Sequence, residues 1–205
     1  MAQNNALKSF KKLSCPEKRW VVCHPFVAKK ALKISQLARL KTDSILQNKL
    51  LKGVGNGDQV DAFRHTYWMV SLTQTIGQRK AKRLGIAHEK GNKRDFKKGN
   101  KEEGSLPDKI STEMDLFNNA VGLKIGANTS ENLIIKVVEE VKKGSCKIIK
   151  TDEQGNFLDC EGDIIPSESL KGKWENKKCL VWSNEWFRLT TRVWKVAIHR
   201  TDFQI

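Results

Sequence analysis

Apolar residues recur along most of this chain at the three-to-four-residue spacing of helices, and polar or glycine-rich punctuation divides them into segments. Ser14 and Pro16 open a first helix, predicted over Pro16 to Val22 and stopped near Pro25. Val27, Ala31, Ile34, Leu37, Ala38, Ile45 and Leu46 form a stripe through a helical stretch from Phe26 to Leu51. Thr42-Asp43 is placed to recap a second helix within it. Three glycines in Gly53-Val54-Gly55-Asn56-Gly57 predict a loop. Asp58 then caps a helix running to Thr75 or Ile76. Gly77 introduces a helix over Gln78 to Glu89, ended by Gly91-Asn92, and Lys93 to Leu106 reads as an exposed charged loop. Thr112 to Ile125 and a Ser130-capped segment from Glu131 to Lys143 complete the helical series.

After Gly144 the pattern shortens. Cys146 to Lys150 and Phe157 to Cys160 flank Asp152-Glu153-Gln154-Gly155-Asn156 as the arms of a hairpin, and Ile164-Ile165-Pro166 suits a short edge strand. Arg192 to Ile198 fits strand and helix equally. The expected fold is mainly α, a multi-helix orthogonal bundle with a small C-terminal β-hairpin appendage. Its expected organisation is a flexible basic leader at 1–13, a helical domain carrying the site at 14–143, a β appendage at 144–184 and an aromatic-basic tail at 185–205.

Three helical segments carry polar groups where apolar ones are expected. Asp61, Arg64, His65 and Trp68 share one helical face, yet Met69, Val70, Leu72 and Ile76 mark the same helix as buried. His88-Glu89 follows on the next helix. Asp115, Asn118, Asn119 and Gly122 repeat the same spacing on a third. Buried ionisable groups must satisfy one another, bind an ion or meet a substrate.

The motifs NG…DAFRH.YW, AHE.GN and MDLFNN..G, with Glu17-Lys18-Arg19-Trp20 and His24-Pro25-Phe26-Val27 upstream, resemble a bacterial family classed as a domain of unknown function. The resemblance runs from about Ser14 to Asn184. Related domains occur at the C-termini of large secreted bacterial toxins, so the resemblance implies a toxin-type or hydrolase role. The order His65, His88-Glu89, Asp115 is also similar to the ligand set of all-helical metal-dependent phosphohydrolases, with His-Glu standing where His-Asp is common there.

On that likeness His65, His88, Glu89 and Asp115 would ligate zinc, manganese or iron, with Asp61 orienting His65. Arg64, Asn118 and Asn119 would bind substrate. A metal-free variant uses His65, oriented by Asp61, as acid or base opposite Glu89 or Asp115. A third reading makes these residues a buried packing network.

Charge narrows the partners. The formal net charge is +15. Residues 1–60 hold 12 Lys/Arg against 3 Asp/Glu, and residues 79–109 hold 11 against 5, while 110–205 balances. Such a field favours an anionic substrate or nucleic acid; a non-catalytic nucleic-acid-binding or partner-binding module is the alternative function. No stretch has the length of a membrane span. No secretory signal is legible, which predicts a cytoplasmic protein or export by a signal-peptide-independent route. The five cysteines show no metal-ligand spacing and read as reduced thiols. Trp182, Trp186 and Trp194 crowd the tail as a cap or partner surface.

Overall fold

The computed structural model describes residues 8–101, 106–128 and 132–185. Trp186 and Trp194, the segment 192–198 and Ser130 lie outside the described residues. The elements are α1 (Cys15–Cys23), α2 (Pro25–Gln47), α3 (Gln59–Ile76), α4 (Gln78–Lys98), α5 (Lys109–Asn128), α6 (Leu133–Lys143), β1 (Lys147–Ile149), α7 (Ser167–Leu170) and β2 (Leu180–Trp182). The fold is mainly helical with a small two-stranded antiparallel sheet near the C-terminus.

Helix α3 is buried almost all round and packs on α2, α4, α5, α6 and β1. That explains why its sequence lacks a polar face. On one side Phe63, Val60 and Val70 meet Ile45, Val137, Val141 and Ile148. On the other, Met69, Leu72 and Ile76 meet Trp20, Ala31 and Leu84. Helix α5 crosses α3 closely because it presents glycine there. A Cβ on Gly122 would lie 2.4 Å from the Thr66 carbonyl oxygen, and one on Gly126 2.8 Å from Thr73 Cβ. No helix among the described residues is long and apolar enough to cross a membrane.

Several expectations are corrected. Thr42 does not start a new helix; its hydroxyl donates back to the Ala38 carbonyl and α2 continues unbroken. Helix α4 does not end at Glu89. It runs through Gly91 to Gly99, which closes it in the left-handed conformation. Gly91 serves packing: its missing Cβ admits Ser14, whose Oγ would lie 2.6 Å from it. Residues 8–12, within the expected leader, are helical.

The C-terminal strands also pair differently. Ile148 sits opposite Val181 in the β1–β2 ladder, while the expected hairpin survives as an isolated Thr151–Phe157 bridge. Cys160 and Cys179 form a disulfide, so the reduced-thiol reading holds for Cys15, Cys23 and Cys146 alone.

Candidate functional site

The site begins at a cap. One carboxylate oxygen of Asp58 accepts from the Val60 and Asp61 amides and the other from Val54, Gly55 and Asn56. The glycine-rich loop thus wraps the start of α3. Gly53 has to be glycine, since its φ is +112° and a Cβ would lie 2.1 Å from the Asp58 carboxyl carbon. The same loop supplies the Gly57 amide, which donates to Asp61 Oδ2 at 2.7 Å.

Asp61, in the first turn of α3, turns its other oxygen to His65, with Oδ1 3.5 Å from Nε2. Asp115 of α5 brings its Oδ1 to 3.4 Å from the same nitrogen. All three residues are buried, and one ligand atom from each lies within 4.8 Å of the others. Donors bonded at about 2.1 Å to a tetrahedral ion are spaced about 3.4 Å apart, so this Asp-His-Asp group could hold a divalent metal. Three protein ligands leave a coordination position open.

Arg64 donates to both Asp61 Oδ1 and His65 Nε2. A guanidinium only donates, so Nε2 accepts and the ring proton sits on Nδ1. Nδ1 faces Glu89 Oε1 at 3.9 Å. Glu89 is itself held by the amides of Asn92 and Asn119 at 2.9 and 3.0 Å. At 3.9 Å the Glu89 carboxylate attracts the Nδ1 proton electrostatically, beyond hydrogen-bond distance. The Asn119 carbonyl oxygen is buried and has no hydrogen-bond partner among the described residues.

The expected residues therefore divide. Asp61, Arg64, His65, Glu89, Asp115 and Asn119 converge. Asp61 belongs to the candidate ligand group rather than behind it, and Glu89 stands behind His65 rather than beside it. His88 is displaced from the group: its ring centroid lies 6.3 Å from that of His65, edge-on to Trp68. Asn118 is fully buried, and both ends of its amide pair with the Lys147 backbone at 2.9 Å. It docks β1 on α5 and does not reach the site.

His88 instead meets Glu17, with Nδ1 3.0 Å from Oε1. A carboxylate accepts, so Nδ1 donates in this contact. Burial alone would raise the Glu17 carboxyl. The His88 hydrogen bond and charge, with the Ser14 hydroxyl and amide, overcome this and hold it below its usual value. Sequence reasoning missed Glu17 as a site residue. The signal was the Ser14-x-x-Glu17 capping box at the start of α1.

These groups border a cleft of about 530 Å³. Arg64, His65 and His88 line it with Trp68, and Lys12 and Arg39 add positive charge. That volume suits a small ligand.

Comparison with curated proteins and with solved structures gives no match. A family model does match, over residues 18–146, which runs from within α1 to just before β1 and includes every residue of the Asp-His-Asp group. The chain belongs to the family described as Domain of unknown function (DUF6973).

Proposed function

We propose that this protein is a metal-dependent hydrolase of a small phosphate-containing or otherwise anionic substrate, working as a toxin-type effector. The observation that carries the reading is the buried Asp61, His65 and Asp115 group, spaced for one divalent ion beside a basic cleft. Zinc, manganese or iron would suit one imidazole and two carboxylates. A bound ion would lower the pKa of its water and polarise the scissile bond. His65 offers Nε2 to the group, and the nearby Glu89 carboxylate favours a proton on its other nitrogen. Asp61 is held in register by the Gly57 amide. His88, oriented by Glu17, lies on the cleft wall as the group that transfers a proton to or from substrate. Arg39 and Lys12 attract the anion.

The test is metal content by elemental mass spectrometry after loading with manganese or zinc, beside turnover of a panel of phosphomonoesters and phosphodiesters. Near-stoichiometric metal is expected in the wild type, and its loss in His65→Ala and Asp115→Asn. His88→Ala is expected to keep the metal and lose turnover by about 10²-fold or more. Expression of the wild type but not of Asp115→Asn should arrest a bacterial host. Absence of metal binding, with no metal-dependent turnover, would overturn the reading.

A second reading rests on α4, which exposes Lys80, Lys82, Arg83, Lys97 and Lys98. In it the protein is a nucleic-acid-binding module. Affinity would then fall steeply with salt, and neutralising those lysines and the arginine would weaken binding while His65→Ala would not. Flat salt dependence would dispose of it.

A further inference from the structure

Arg64 Nη2 lies 2.5 Å from Asp61 Oδ1 and 3.0 Å from His65 Nε2. The guanidinium therefore stands among the atoms that would ligate an ion. Those two donors are 3.5 Å apart. An ion about 2.1 Å from each would sit no more than about 3.3 Å from Nη2, whichever side of the pair it occupied. Two positive charges so close, in a buried group, repel strongly. The guanidinium in this position and a divalent ion exclude one another.

Resting on the metal-site reading above, we infer that Arg64 is the internal cation of the site. It neutralises the Asp61 carboxylate until a divalent ion displaces it, and it then turns into the cleft to bind an anion. The side chain has somewhere to go, because Arg64 lines the cleft and is 15% exposed there. Lys12, Arg39 and Lys101 line the same cleft, so a phosphate among them gains the planar fork of Arg64 as a further partner only when Arg64 has left Asp61. Metal and anion each favour the same displaced arginine. Their binding is coupled, and the coupling is reciprocal by linkage. The device compensates the buried Asp61 carboxylate in the absence of metal and makes the anion-binding arm available when metal is present.

The experiment titrates the full chain with Mn²⁺, reading free aquo-ion by electron paramagnetic resonance, with and without millimolar inorganic phosphate. The variants are Arg64→Met, which keeps the apolar stem and removes the charge, and Arg64→Lys. Arg64→Met is expected to bind Mn²⁺ about tenfold more tightly than the wild type without phosphate, and to lose the response to phosphate. The wild type is expected to tighten severalfold when phosphate is added, a result that needs no variant to fold. Arg64→Lys, which keeps a cation, should bind less tightly than Arg64→Met. Equal affinity in wild type and Arg64→Met, with no phosphate response, would overturn the inference. The metal reading would survive that result, provided Asp115→Asn abolishes binding. Failure of every form to bind Mn²⁺ would overturn both.

Discussion

Gly122→Ala tests the crossing of α5 over α3 that brings Asp115 to His65. The new Cβ would lie 2.4 Å from the Thr66 carbonyl oxygen and 2.8 Å from Met69 Cβ. The first is backbone and the second is fixed to it, so neither can rotate away. Restoring an ordinary contact of roughly 3.5 Å requires α5 to withdraw by about 1 Å. Alanine's better helix propensity returns about 1 kcal/mol. Overpacking against backbone exceeds that, at about 3 kcal/mol. The net loss is on the order of 2 kcal/mol, a fall in melting temperature of about 4–8 °C for a chain of this size. Gly85→Ala is the matched contrast. Its Cβ would meet first the Met69 thioether end and an Asn119 amide, at 3.3 and 3.5 Å. Met69 can shift, so this substitution should be neutral or stabilising by up to about 1 kcal/mol. Thermal and urea unfolding followed by circular dichroism measure both. A Gly122→Ala protein as stable as Gly85→Ala would refute the close crossing, and with it the placement of Asp115 beside His65.

Two further outcomes are expected. Glu17 has its pKa lowered on folding, so its contribution is complete above its unfolded pKa and is lost as pH falls through the folded one. Glu17→Gln should therefore be less stable than wild type at pH 7, with the difference shrinking between about pH 5 and pH 3 in urea unfolding; a constant difference would contradict the ionic contact with His88. The Cys146 thiol is pushed up to about 11 by burial, against the opposing Thr66 hydrogen bond. Only about one molecule in a thousand is thiolate there at pH 8, so iodoacetamide should label exposed Cys15 and Cys23 long before Cys146. Comparable labelling rates at all three would show that Cys146 is not buried.

Much of the helical frame is legible in the sequence because local signals agree there. Asp58 after a glycine-rich loop announces the start of α3, and i, i+4 spacing puts Asp61 and His65 on one face. Adjacent residues were less readable. His88 and Glu89 are about 100° apart on a helix, as are Asn118 and Asn119, and pattern alone does not say which member turns inward. Packing decides: Ser14 and Glu17 of the α1 entry draw His88 outward, while β1 claims Asn118. Gly91 misled for a related reason, since a helix can keep a glycine where another helix needs its space. The β1–β2 pairing depends on contacts more than thirty residues apart, beyond any hairpin signal.

The strand that docks through Asn118 also affects the order in which the site can assemble. Asn118 reaches Lys147 across 29 residues, and Gln59, at the start of α3, reaches the Ser183 carbonyl across 124. Closing the longer loop costs about 1.3 kcal/mol more entropy than the shorter. The Gly57 carbonyl that accepts from Ile149 belongs to the loop whose amide holds Asp61. The helices can therefore form from nearby contacts, but Asp61 gains its final restraint only when residues beyond 146 arrive. Full restraint of the site thus depends on residues beyond 146, and a chain cut at the end of the matched family region would carry every candidate ligand without the strand that steadies them.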